Sequence, residues 1–269
     1  MTRIAALQMT STTDVDDNVA VATRLIGEAA ASGARLAVLP ENFALMAGSR
    51  ERLLAAAERF MEGPIQRAVA RAAREQGIWV VAGTIPVTAS AERVRAASIV
   101  YDDAGEVVAR YDKIHLFDVV LRDGESHLES RTIEAGTEVV VVDTPAGRLG
   151  LSVCYDLRFP ELYRRLLDGG AEIFAVPSAF TSFTGRAHWE PLLRARAIEN
   201  QVYVVAAGQV GAHAKGRETH GHSMIVDPWG AVLAERSDGA GVVTASVEPG
   251  RIAELRAQLP AVEHRRLQR

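Results

Sequence analysis

The 269-residue chain has a single cysteine, Cys154, so it has neither an intrachain disulfide framework nor the cysteine-rich patterns that hold zinc or iron-sulfur clusters. It lacks any apolar run of 18 residues, which excludes a membrane-spanning helix of ordinary composition. Neither GxGxxG nor GxxxxGK occurs, leaving dinucleotide and nucleotide chemistry without a basis. HExxH is absent too. His220 and His222 have no cysteine near them and read as turn or strand packing, so no metal and no cofactor is expected. No charge sign dominates: 30 Lys plus Arg against 34 Asp plus Glu give −4, and no broad field for nucleic acid or an anionic membrane surface follows. A strand-like run starts at Ile4 with no basic segment and secretory hydrophobic stretch before it, so the expectation is a cytoplasmic protein.

Lysine is scarce as well. Of the 30 basic residues only Lys113 and Lys215 are lysines, the rest being arginine. Coding bias accounts for part of this, yet each remaining lysine raises the question of why an ammonium is needed there.

What is present is a 48% hydrophobic chain that can bury a sizeable core. RIAALQM, ARLAVLP, IWVVAG, AEIFAVPS and VYVVAAG read as buried strands. Asp17 or Asn18 is expected to cap a helix ending near Ser32, with Gly33 as its stop. Further helices are expected over 49–61, 64–76, 159–167 and 189–200, and from Pro249 onward. Hairpins around 102–105 and 228–230 interrupt the βαβ rhythm, so the fold class is mixed α/β. We expect a single domain over 1–260, made of two similar halves, and a polar, basic tail at 261–269 that extends from the core. The connection 113–136 is long enough to imply a function or an unrecognised short helix.

Glu41 and Cys154 each lie just beyond an apolar strand, where α/β sheets form ligand crevices, so the two could face one pocket. A lysine ammonium would lower the thiol pKa and a carboxylate could take its proton. Taken singly, Cys154 reads equally as an inert buried hydrophobe, and Glu41 and Lys113 as solvated loop charges. The spacing of Glu129 shows no mechanism. Asp156, Arg158 and Glu161 are expected to form an ion-pair network supporting the turn after Cys154.

Together PEN at 40–42, YDKIHLFD at 111–118, GLSVCYDLRFPELYR at 150–164, VPSAF at 176–180 and RARAIEN at 194–200 strongly resemble the carbon-nitrogen hydrolase, or nitrilase-like, family over about residues 3–259. The resemblance implies a four-layer αββα sandwich with two mixed central sheets, pairing through helical faces into a homodimer. It carries a catalytic triad onto Glu41, Lys113 and Cys154, and an assisting second glutamate onto Glu129. Lys113 and the Tyr155 backbone N–H would then stabilise the oxyanion. Tyr155-Asp156 stands where true nitrilases have Trp-Glu, which favours amide over nitrile hydrolysis. HLFDVVLRDGESHLES at 115–130 and RETHGHSMIVDPWG at 217–230 look like the deaminated glutathione amidase branch, implying a small carboxylate-bearing amide as substrate. Arg186, Lys215 and Arg217 are the candidate carboxylate-binding residues. An ω-amidase or carbamoylase with the same triad is the enzymatic alternative, and a catalytically silent interaction module the alternative from another class.

Overall fold

Alternation along the apolar strands sets the order of the layers. In the computed structural model, which describes residues 1–120 and 126–267, Ile4 and Ala6 of β1 (Thr2–Gln8) enter one core while Ala5 and Leu7 enter another. Leu36 and Val38 of β2 (Leu36–Val38) and Val81 of β3 (Trp79–Val81) join the first core, Ala37 and Val80 the second. Strands buried on both faces need no polar alternation, which is why these segments read as continuous apolar runs.

The first sheet runs β17-β1-β2-β3-β5-β4, with β6 pairing outside β5; its other strands are β4 (Ile85–Thr88), β5 (Val94–Tyr101), β6 (Val107–Asp112) and β17 (Gly241–Val247). The second runs β16-β15-β12-β11-β10-β9, from β9 (Val141–Thr144), β10 (Gly147–Leu151), β11 (Ile173–Ser178), β12 (Tyr203–Gly208), β15 (Ser223–Val226) and β16 (Val232–Arg236). Each sheet has three parallel strands, β1-β2-β3 and β10-β11-β12, with antiparallel strands at its flanks. The sheets meet face to face through β1 and β12. Outside the first lie α1 (Val15–Ala31) and α3 (Pro64–Gln76), burying Leu25, Ile26, Ile65 and Val69; outside the second lie α4 (Pro160–Asp168) and α5 (Ser182–Asn200), burying Leu162, Leu166, Trp189 and Leu193. This is the αββα sandwich expected from the family resemblance. The short α2 (Arg50–Ala55) and α6 (Pro249–Gln258) complete the helices.

Several boundaries differ from the sequence reading. Asp14 caps α1 by accepting from the Asp17 N–H, while Asn18 is buried and ties Thr12 to the Ala44 carbonyl. The helix expected over 49–61 stops at Ala55 because Glu58 pairs with the edge of β4, donating to the Pro86 carbonyl and accepting from the Thr88 N–H. α5 begins seven residues before Trp189. Its cap is Thr181, and it accommodates both Pro191 and Gly185, the latter because a Cβ there would lie 2.4 Å from His220 Cβ. The long connection contains β7 (Asp118–Val120), β8 (Ser126–Leu128) and a one-turn 3₁₀ helix at Glu129–Arg131. A second ribbon pairs β13 (Val210–Ala212) with β14 (Glu218–His220). The tail does not leave the core: Gln201 donates to the Leu259 carbonyl, Val262 packs on the core and Arg265 pairs with Asp168. Residues 121–125 of the connection and 268–269 of the tail lie outside the described residues.

Candidate active site

Four segments converge at one end of the sandwich. Glu41 follows β2 in the first sheet, Lys113 follows β6, Cys154 follows β10 in the second sheet, and Glu129 opens the 3₁₀ turn after β8. Lys113 Nζ donates to Glu41 Oε1 at 2.7 Å and to Glu129 Oε2 and Oε1 at 2.8 and 3.1 Å. Glu41, Glu129 and Cys154 line one cleft, and Lys113 lies buried beneath it. The two strand-end residues are thus brought to a common pocket, with the lysine between two carboxylates.

Burial opposes a charge on Lys113, but the Glu129 and Glu41 carboxylates outweigh it and hold the ammonium well above the usual lysine range. Burial likewise opposes ionisation of Glu129, yet Lys113 and the Phe117 N–H, which donates to Oε2 at 2.8 Å, keep its pKa low. For Cys154, burial and the adjacent Glu41 charge raise the thiol well above its ordinary value, and Lys113 only partly offsets them. Cys154 therefore rests as a thiol with the Glu41 side chain beside it. Its backbone has φ 49°, a left-handed conformation that a non-glycine residue adopts only when its surroundings impose it.

Those surroundings are polar and long-range. Gln209 donates to the Glu41 carbonyl at 3.0 Å and to Ser11 Oγ, and Thr84 Oγ1 accepts from the Asn42 N–H, so both sides of Glu41 are held. Arg196 of α5 donates twice to the Leu157 carbonyl, at 2.8 and 3.2 Å, fixing the turn after the thiol. Gly83 runs against the Pro40 carbonyl; a Cβ there would lie 1.9 Å from that oxygen, and φ is already +33°. Gly83→Ala should therefore displace the turn carrying Glu41, lowering stability by more than about 1 kcal/mol and turnover along with it. Thermal melts and rates will check this, and an unchanged melt would show that the turn tolerates the clash.

The expected ion-pair network after Cys154 does not form. Asp156 is fully buried and bonds instead to Tyr111, His115 and the Val153 N–H; Arg158 faces the cleft, stacked over Phe180 at 5.2 Å with Nη1 3.2 Å from His188 Nδ1; no ion pair involves Glu161 among the described residues. The local spacing of charges was a poor guide because the side-chain partners of Asp156, Tyr111 and His115, come from the end of β6 in the other sheet and the residues just after it. Of the three carboxylate-binding candidates only Arg217 lines the cleft. It donates to the Ala179 carbonyl at 3.1 Å, and its buried Nε has no partner among the described residues. Arg186 is exposed near His220, and Lys215 is exposed beside Gly48 and Glu51; neither lines the cleft.

Phe117, Phe180, Thr181 and Thr184 also line the cleft. Sequence reasoning did not single them out, although Thr181 and Thr184 form a visible helix-start signal, with Thr181 Oγ1 accepting from the Thr184 N–H. Among the described residues no group of three His, Cys, Asp or Glu side chains is placed to hold a metal ion. No described helix is long and apolar enough to cross a membrane.

The profile of the carbon-nitrogen hydrolase family matches residues 3–257. A deaminated glutathione amidase of Yersinia enterocolitica is 42% identical over 266 residues, covering 98% of this chain and 92% of its own. The NitFhit protein of C. elegans superposes with a TM-score of 0.92 at 40% identity, over 98% of this chain and 65% of that one. An amidase from Nesterenkonia sp. AN1, seen in a variant with acrylamide added to its active-site cysteine, superposes with a TM-score of 0.81 at 26% identity, over 97% of this chain and 98% of that one. With a matching profile over nearly its whole length and the αββα sandwich to go with it, the chain belongs to the carbon-nitrogen hydrolase family.

Proposed function

We propose that the chain is an amidase that hydrolyses the acyl amide of deaminated glutathione, a carboxylate-bearing 2-oxo acid, through a thioester on Cys154, with cysteinylglycine leaving as the amine. The observation that carries this reading is the buried thiol with Glu41 against it and Lys113 between Glu41 and Glu129. Glu41 takes the thiol proton as sulfur attacks the amide carbonyl, and passes it to the departing nitrogen. One ammonium proton of Lys113 goes to Glu41 and one is shared by the Glu129 oxygens, leaving a third for the oxyanion. The Tyr155 N–H lies in the first turn of the 3₁₀ helix at Cys154–Arg158, where N–H groups have no intrahelical acceptor, and serves as the second oxyanion donor. Water then attacks the thioester, Glu41 takes its proton, and the thiol is restored as the acid leaves.

The cleft encloses about 10 Å³, roughly the space of one water-sized group. It takes the carboxamide, so the rest of the substrate extends to the mouth, where Arg158 and Arg217 are the cationic groups available to a carboxylate. Contacts along the extended peptide-like amine portion hold the carbonyl for attack, and a short 2-oxo acid amide makes fewer of them. The relatives named deaminated glutathione amidase support this choice. A homodimer joined through helical faces, acting in the cytoplasm, is the assembly we propose on the same family grounds.

Hydrolysis under matched conditions, read as cysteinylglycine from deaminated glutathione and as ammonia from 2-oxoglutaramate and from a nitrile, should give the highest kcat/KM on deaminated glutathione, a lower value on 2-oxoglutaramate and little on the nitrile. A clear preference for 2-oxoglutaramate would reassign the chain as an ω-amidase.

A further inference from the structure

Asp156 is the most fully used carboxylate near the thiol, yet among the described residues no lysine or arginine pairs with it. Each of its oxygens accepts two hydrogen bonds. Oδ2 takes the Tyr111 hydroxyl at 2.7 Å and the Val153 N–H at 2.8 Å; Oδ1 takes the His115 N–H at 3.0 Å and lies 2.7 Å from His115 Nδ1. A carboxylate only accepts, so Nδ1 carries the imidazole proton. The His115 ring is stacked flat on Phe159, at 3.7 Å between centroids and 5° between planes, which fixes its orientation. Tyr111 also accepts from the Ile114 N–H at 3.3 Å.

The placement of these donors is informative. Tyr111 and His115 flank Lys113 two residues to either side, and Val153 immediately precedes Cys154. A single buried carboxylate therefore grips the lysine segment at both ends and the nucleophile turn at its start, although the two segments belong to different sheets. Lys113 Nζ itself is bound to Glu41 and Glu129, which set where the ammonium points but not how far the thiol lies from it.

We propose that Asp156, clasped by Tyr111 and His115, is a positioning residue that sets the Lys113 ammonium against the Cys154 thiol and holds Cys154 in its left-handed conformation. The proposal rests on the roles given above to Lys113 and Cys154. Small misplacements of a reacting pair cost far more in rate than in stability, because attack demands a narrow range of distance and angle. Loosening the clasp should thus act on kcat and leave substrate affinity in place, since none of the three side chains lines the cleft.

Three variants and one rescue test it. Tyr111→Phe deletes one donor at almost constant volume, His115→Leu deletes another, and Asp156→Asn replaces an acceptor oxygen by a donor facing donors. His115→Asn can return an N–H near the place of Nδ1. On deaminated glutathione, Tyr111→Phe and His115→Leu should lower kcat by roughly tenfold or more with KM within about twofold of wild type, and His115→Asn should recover much of the loss. The second-order rate of Cys154 alkylation by acrylamide should fall in the same order, as the ammonium no longer favours the thiolate. Melting temperatures of Tyr111→Phe and the two His115 variants are expected within about 5 °C of wild type, corresponding to about 1 kcal/mol in a domain of this size. Asp156→Asn should show the largest loss, and its misfolding would leave the other variants to decide. Unchanged kcat and alkylation in the folded variants, a loss confined to KM, or no rescue by asparagine would each overturn the clasp. Wild-type protein that hydrolyses no amide, or Cys154→Ala that hydrolyses it normally, would instead overturn the functional reading, and the alkylation rates would still judge the clasp.

Discussion

Cys154→Ala is expected to reduce amide hydrolysis by at least about 10⁴-fold, to the residual level left when a catalytic unit loses its nucleophile but keeps its binding groups. No second cysteine exists to substitute for it. The left-handed backbone at Cys154 and the bond from the Ala179 backbone to its sulfur direct this one thiol to the place where Glu41 and Lys113 meet. Alanine fits the same backbone with less side chain, so folding should persist and the loss should be chemical. Intact-mass measurement after rapid mixing supplies the complementary result. Wild type should carry the acyl group as a thioester, with the mass of the substrate minus its departing amine, cysteinylglycine, and the alanine variant should carry none. Normal turnover by Cys154→Ala would remove the thioester route altogether. An acyl adduct on wild type together with a slow rate would instead place the difficulty in deacylation, where water must reach the carbon that the thiol first attacked.

Much of this arrangement could be read before any coordinates, and the reason is local. Strands buried on both faces leave long apolar runs, and Glu41 and Cys154 are visible as the charged and nucleophilic residues that end two of them. Lys113 stands out because arginine is used almost everywhere else, and the structure gives a reason for it: a compact ammonium fits between two carboxylates with no exposure, where a planar guanidinium would need a wider space. Glu129 was harder. It acts from a one-turn helix beyond a short ribbon, and its distance to Lys113 depends on how that ribbon folds back. Asp156 was misread for a similar reason: charged neighbours at 158 and 161 suggested local pairing, while its side-chain partners are 41 and 45 residues away in sequence. Gln209, which steadies Glu41 from 168 residues further on, has no local signal at all. Helix starts failed where tertiary contacts overrode punctuation, as at Gly185, whose missing side chain makes room for His220.

Glu41→Gln should separate two properties that ordinarily move together, making the thiol easier to ionise while making the enzyme slower. Glu41 places a negative charge beside a thiol that is already buried, and both effects raise the thiol pKa; Lys113 and the bond from the Ala179 backbone pull it down. Glutamine keeps the shape and removes the charge, so the opposing influence of Lys113 counts for more and the thiol pKa falls. At a pH below the wild-type value, the variant therefore holds more thiolate. A tenfold gain in thiolate costs only about threefold in intrinsic reactivity, because nucleophilicity falls less steeply than basicity. Alkylation of Cys154 by iodoacetamide, which needs no base and no proton for a leaving group, should accelerate in Glu41→Gln, and its pH profile should shift to lower pH. Amide hydrolysis needs both, since the amine leaves only with a proton and water attacks the thioester only when a base takes one from it. Amide hydrolysis should consequently drop by at least roughly a hundredfold, the scale of a positioned acid-base group. Wild-type rates of amide hydrolysis by a folded Glu41→Gln protein would refute the base assignment. If alkylation instead slowed and its profile moved to higher pH, Glu41 would be holding Lys113 in place rather than opposing ionisation of the thiol, and its charge would matter through the lysine.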